Sequence, residues 1–243
     1  MNEGQPTRPA NILHIIAINQ GTAPLTMEEP TAPPLSPRQV QELIDDGRVV
    51  VDTRPSSDFG SGHIAGAYNL QVGSPEFEQR FGWVVPLEAS VVLVGADTAS
   101  VETALHKLAF VGLDHRVEGF LRGGMRAWIG AGMPLVTVSQ ISVNELHQRL
   151  QENGAMRTLD VREPDEFAGG HIEGARTMSF KMLEQHLDEI GIEADEPVSV
   201  VCAGGVRSGT ACSILQRHGF RHVHNVTGGM GAWNSAVLPT VTE

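Results

Sequence analysis

The chain repeats itself. Val50-Val51-Asp52-Thr53-Arg54, then Asp58-Phe59, then Gly62-His63-Ile64-Ala65-Gly66-Ala67 returns as Thr158-Leu159-Asp160-Val161-Arg162, Asp165-Glu166-Phe167 and Gly170-His171-Ile172-Glu173-Gly174-Ala175. Positions 52, 54, 63 and 66 recur at 160, 162, 171 and 174, a constant offset of 108. Gly123-Gly124-Met125-Arg126-Ala127-Trp128 returns as Gly228-Gly229-Met230-Gly231-Ala232-Trp233 at an offset of 105. A period of about 105 residues is far longer than the ~20–50 residues of a solenoid repeat, so the duplication predicts two globular domains.

Each copy carries the same signals. Ser36-Pro37 and Ser142 stand where helix N-caps belong, ahead of Val40, Leu43, Ile44 and of Leu146, Leu150, with Gly47 and Gly154 placed to end those helices. Short apolar or β-prone runs follow at Val49–Val51 and Arg157–Leu159, and again at Val91–Val94 and Val198–Val201. Helical patterns fill the gaps, at Val101–Phe110 and Ser208–Arg217. Strands alternating with helices predict an α/β fold with a mainly parallel sheet flanked by helices in each copy. A hydrophobic fraction of 41% with 27 Gly and 14 Pro agrees with such a turn-rich globular chain.

Charge and cysteine usage narrow the function. A formal charge of −12 leaves no positive field to hold nucleic-acid phosphates. Cys202 and Cys212 are the only cysteines, too few for a disulfide framework, and they point to a reducing compartment. The first residues lack the charged-then-apolar pattern of a signal peptide, and no run approaches the ~18–20 apolar residues of a membrane helix, so a cytoplasmic setting is expected. Pro24, Pro30, Pro33, Pro34 and Pro37 make Gly21–Pro37 read as an extended linker. The expected division is a leader over 1–35, a first domain over 36–137 and a second over 138–243, with folded structure starting near Ser36.

Open parallel sheets bind ligands beyond the carboxyl ends of their strands. In the second copy that junction is Val200-Val201-Cys202-Ala203-Gly204-Gly205-Val206-Arg207-Ser208. Two glycines after a cysteine at a strand end let backbone N–H groups turn inward, and the following helix adds its positive end, so the thiolate of Cys202 is favoured and a nucleophile is expected there. Gly204 and Gly205 are both expected to need backbone angles that a Val would strain, and Arg207 to add its charge. Asp160 and Arg162 end a strand near this site, but Asp52 and Arg54 hold the same places in the other copy, which favours a structural role. His63 and His171 are read as loop anchors, Cys212 as a buried core thiol, and Trp128 and Trp233 as packing anchors. His218, His222 and His224 complete no known metal spacing, so no metal is expected.

These motifs resemble the rhodanese family of sulfurtransferases over residues 36 to 240. Both copies carry that family's strand ending in Asp-x-Arg, its Gly-His-Ile-x-Gly-Ala segment and its late Gly-Gly-x-x-x-Trp turn, and the second carries the full Cys-x-x-Gly-x-Arg-Ser loop. The resemblance implies that Cys202 accepts a sulfane sulfur as a persulfide, cradled by Ala203, Gly204, Gly205, Val206, Arg207 and Ser208. The sulfur would come from thiosulfate, a glutathione persulfide or polysulfide and pass to a thiol, cyanide or sulfite acceptor, with no cofactor. Phosphatases with similar loops enlarge them by one residue, and Cys202 to Arg207 has the sulfur-handling length of six. In the first copy Gly95 stands opposite Cys202 in Gly95-Ala96-Asp97-Thr98-Ala99-Ser100, so that half is expected to be silent, and Asp97 would repel an anion. A purely partner-docking module is the rival reading, and the intact Cys202 loop argues against it. The leader from Ala10 to Leu25 is similar to the segment that joins a metallo-β-lactamase-fold domain to tandem rhodaneses in bacterial fusions. That likeness implies a persulfide dioxygenase as partner, with Ile12–Ile18 packed on a neighbouring domain or on the first repeat.

Overall fold

The computed structural model describes residues 8–9, 11–22, 28–153 and 156–242, apart from the side chains of His14 and Asn153. The chain divides into two compact units, Met1–Pro55 with Ala67–Leu135 and Ser56–Gly66 with Val136–Glu243. The expected stop at Gly154 and part of the leader, including Ala10 and Pro24, lie outside the described residues.

The first sheet comprises β1 (Pro34–Leu35), β2 (Val49–Asp52), β3 (Tyr68–Asn69), β4 (Val91–Val94) and β5 (Val117–Leu121), in the order β1-β5-β4-β2-β3. The second comprises β6 (Ser139–Ile141), β7 (Arg157–Asp160), β8 (Arg176–Thr177), β9 (Val198–Val201) and β10 (Val223–Val226), in the order β6-β10-β9-β7-β8. Every strand pairing in both sheets is parallel. Strand β4 is buried along its whole length, as expected of a strand covered on both faces. Strand β9 is too, despite Ser199, whose hydroxyl bonds to the Arg157 carbonyl at 3.0 Å and to Thr158 Oγ1 at 3.2 Å. Buried polar groups are tolerated when bonded in this way.

Ser36 caps the helix Pro37–Asp45 in a capping box with Gln39, and Ser142 Oγ accepts the Glu145 N–H at 3.1 Å ahead of the helix Val143–Asn153. The second core gathers Ile141, Val143, Leu146, Ile172, Val201, Val226, Met230 and Trp233. Trp128 and Trp233 are each 1% exposed and close the same local loop, their indole N–H groups donating to Pro134 O at 2.7 Å and Pro239 O at 3.0 Å.

Folded structure begins before Ser36. Strand β1 pairs with β5 at the edge of its sheet, where Pro34 loses no ladder bond, and the Pro33 and Leu35 carbonyls accept Phe120 and Arg122 N–H groups. Earlier still, Ile12–Asn19 forms a helix. Asn11, just ahead of it, is buried against the helix Phe77–Val84, where a Cβ on Gly82 would run into its Oδ1. The leader thus contacts the first unit through Asn11 and Pro9, while Leu13 stays 77% exposed. Among the described residues no helix is long and apolar enough to cross a membrane.

Candidate functional site

Strand β9 lies in the middle of its sheet, and the residue after its end is Cys202. Gly205 turns the chain at φ +96°, a conformation that side chains disfavour, and the helix Val206–Arg217 starts at the next residue. The helix therefore begins two residues earlier than its apolar pattern suggests, with Val206, Arg207 and Ser208 forming its first turn. Cys202 is 1% exposed; its Sγ accepts the Gly205 N–H at 3.0 Å and lies 3.5 Å from the buried Ser208 hydroxyl. The expected N–H cradle thus reaches the sulfur through Gly205, supplemented by a side chain and the positive helix end. A thiolate here would have two donors and a favourable dipole.

The two loop glycines differ. Gly205 has the positive φ, whereas Gly204 does not, and a Cβ on Gly204 would meet open space. The expectation that both need unusual backbone is corrected: Gly205 sets the turn, and Gly204, exposed like Ala203, leaves the mouth of the loop open.

The floor of the loop comes from the Gly228-Gly229 turn, of whose motif only Trp233 was expected to have a role, as a packing anchor. Met230 N–H donates to Cys202 O at 2.7 Å and Gly231 N–H to Ala203 O at 2.9 Å. Gly229, at φ +53°, passes so close that a Cβ there would fall onto the Cys202 carbonyl oxygen. The signal was available in the repeat, since Gly123-Gly124 and Gly228-Gly229 both persist and all four have positive φ.

Arg207 does not face the sulfur alone. Its Nη1 and Nη2 donate to Glu166 Oε2 at 2.6 Å and Oε1 at 2.8 Å, a bidentate pair. That bond is the main reason the guanidinium is held above its usual range, against the opposing effect of burial and with the charge of Cys202 adding to it. Glu166 is correspondingly held below the usual carboxylate range, first by Arg207. Sequence reasoning passed over Glu166, although the 108-residue offset puts Asp58 in its place in the copy that has no loop arginine.

Asp160 and Arg162 form a buried staple. The Asp160 carboxylate accepts the Arg162 backbone N–H at 3.0 Å and its Nε at 2.9 Å, and Arg162 Nη2 donates to Gly170 O at 2.8 Å. Asp52 and Arg54 form the same bidentate pair in the first unit. His171 bonds through Nδ1 to Phe167 O at 3.0 Å and stacks on the Phe167 ring, as His63 does on Phe59. Cys212 is fully buried in the helix, and burial pushes its thiol well up. His218 pairs with Glu184 at 3.2 Å, and among the described residues no three His, Cys, Asp or Glu are grouped to hold a metal.

In the first unit the corresponding space is filled. A Cβ on Gly95 would lie 2.6 Å from Val101 Cγ2, 2.7 Å from Ser100 Oγ and 3.0 Å from Asp97 O. Asp97 caps the helix Thr98–Ala109 and accepts the Ser100 N–H at 2.8 Å, so its carboxylate is turned to the helix end. Gly95→Cys should therefore lower stability by about 1–3 kcal/mol through overpacking and create no second sulfur-accepting thiol. Thermal melting, and the mass of the chain after exposure to a sulfur donor, would test this.

The rhodanese-like domain family matches residues 36–131 and 142–236. The Bacillus subtilis protein YqhL is 42% identical over 79 residues, 32% of this chain and 61% of YqhL, so the match spans less than two thirds of that relative. The thiosulfate sulfurtransferase GlpE of Shewanella oneidensis is 33% identical over 40% of this chain and 92% of its own length. A sulfurtransferase of Allochromatium vinosum is 34% identical over 43% of this chain and 95% of its own length. Among solved structures, a thiosulfate sulfurtransferase from Pseudomonas aeruginosa aligns at 20% identity over 86% of this chain and 43% of that one, with a TM-score of 0.39. With two matched domains covering most of its length, this chain is a tandem member of the rhodanese-like family.

Proposed function

We propose that this protein is a sulfurtransferase whose second domain carries a sulfane sulfur on Cys202, taken from a donor such as thiosulfate, a glutathione persulfide or polysulfide and given to a thiol, cyanide or sulfite. The observation that carries the reading is the placement of Cys202 Sγ, at the end of a central strand, 3.0 Å from the Gly205 N–H and beside Ser208 at the start of a twelve-residue helix. In the first half-reaction the thiolate attacks the donor's outer sulfur. A Cys202 S–S bond forms, and the donor's own bond to that sulfur breaks with its electron pair leaving on the remainder. In the second, the acceptor attacks the outer sulfur and Cys202 departs as thiolate. Donors aimed at the sulfur stabilise the anion at both stages at no cost in reorganisation. The first domain takes no part in the transfer, since Gly95 offers no nucleophile.

Intact mass after brief exposure to each donor tests this reading. One sulfur atom should be gained, mapped to the Cys202 peptide, and lost on adding cyanide or a thiol. No gain with thiosulfate, glutathione persulfide or polysulfide would overturn it.

A further inference from the structure

Three ion pairs gather at Arg207 of the Cys202 loop and its neighbours. Arg207 is bidentate on Glu166. Lys181 Nζ lies 3.1 Å from Glu163 Oε1, which also accepts the Ser179 hydroxyl at 2.9 Å. Arg162 is stapled to Asp160, with Nη2 at 2.6 Å from Oδ2. These pairs are neighbours: the Glu166 carboxylate feels Arg162 as well as Arg207, and the charge of Glu163 acts on Arg207. The short helix Phe180–Leu183, which bears Lys181, packs against the helix that begins behind the sulfur. Three cations thus face three carboxylates, and each cation already has an oxyanion within hydrogen-bond distance.

We propose, resting on the sulfurtransferase reading above, that this pairing selects an organic persulfide, R–S–SH, over thiosulfate as the donor. Thiosulfate is a dianion, and transfer of its sulfane sulfur expels sulfite, itself an anion formed next to the new persulfide. A site that welcomes this pair of charges gains most from a cation whose hydrogen bonds are open to it, because the Gly205 N–H and the helix end already serve the Cys202 sulfur and each further charge drawn out of water needs a partner of its own. Here Arg207 would have to leave Glu166 to serve, which strands that carboxylate in turn. An organic persulfide presents one ionisable sulfur at the reacting end and keeps its other charges remote. Cys202 thiolate attacks the terminal sulfur of R–S–SH, the new Cys202 S–S bond forms as the donor's own S–S bond breaks, and R–S⁻ leaves with the electron pair and takes up a proton from water. The Gly205 N–H and Ser208 hydroxyl, one backbone donor and one hydroxyl, match a single sulfur anion.

The test compares second-order rates of Cys202 sulfur loading in the full chain with glutathione persulfide and with thiosulfate, followed by intact mass. In the unaltered protein the persulfide should load at least about tenfold faster. Glu166→Gln keeps the shape and one acceptor but removes the competing charge, and should cut that ratio by about tenfold through a faster thiosulfate reaction. Glu163→Gln, which takes the carboxylate from Lys181, should shift the ratio in the same direction, and it serves if the first variant does not fold. Thiosulfate loading as fast as persulfide, or a ratio unmoved in the folded variants, would overturn the charge argument while leaving sulfur transfer standing. Loading by neither donor would overturn this inference, and failure with polysulfide as well would remove the sulfurtransferase reading with it.

Discussion

Cys202→Ser should abolish sulfur loading and lower sulfur transfer by about a thousandfold or more, since a hydroxyl at this site offers neither a persulfide-forming atom nor an anion at neutral pH. The fold should survive. Serine is close in volume to cysteine, and the site already bonds Sγ to the Gly205 N–H, which a hydroxyl oxygen accepts as readily. Cys212→Ser gives the complementary result. That thiol is fully buried in its helix, burial holds it protonated, and its replacement should cost about 1–2 kcal/mol through a buried hydroxyl while leaving loading at Cys202 intact. Substantial turnover by the Cys202 variant, or loss of loading in a folded Cys212 variant, would mean that the nucleophile has been misassigned.

Much of this arrangement is legible without coordinates because the duplication acts as an internal comparison. What differs between the copies at Gly95 and Cys202 points to chemistry, and what persists at Asp52 and Asp160 points to structure; the geometry of the two Asp–Arg staples agrees with the second inference. Strand positions were readable because fully buried parallel strands leave uninterrupted apolar runs such as Val91–Val94. The helix start at Val206 was not, because a polar first turn of Arg207 and Ser208 lacks the apolar period, and only the Gly205 conformation marks the boundary. Glu166 was missed for a related reason. Its partner is 41 residues away, and an ion pair between distant segments leaves no local pattern. Some choices remain invisible to any pattern: Val237 takes the left-handed backbone at φ +54°, where the offset of 105 places Gly132 at φ +70° in the first copy.

Gly229→Ala should produce the largest loss of stability among single-methyl additions around the site, about 2–4 kcal/mol, together with a fall of about tenfold or more in the loading rate of the protein that remains folded. Two costs add at this position. The residue sits at φ +53°, and its Cβ would strike the Cys202 carbonyl and come within 2.9 Å of Ala203 C, backbone atoms that cannot move without dragging the loop. Relieving the clash means lengthening the bonds from Met230 N–H to Cys202 O and from Gly231 N–H to Ala203 O, and with them displacing the sulfur from the Gly205 N–H. A displacement of a fraction of an ångström is enough to weaken a preorganised donor. Two companions separate strain from site geometry. Gly204→Ala, whose Cβ meets open space at ordinary φ, should leave the melting temperature nearly unchanged. Gly124→Ala in the first unit, at φ +56° with its Cβ 2.8 Å from Gly95 O, should lower stability much as Gly229→Ala does but leave the loading rate of Cys202 unaltered. If Gly229→Ala loads sulfur at the unaltered rate once corrected for the folded fraction, the turn beneath Cys202 is packing alone and has no hand in positioning the thiolate.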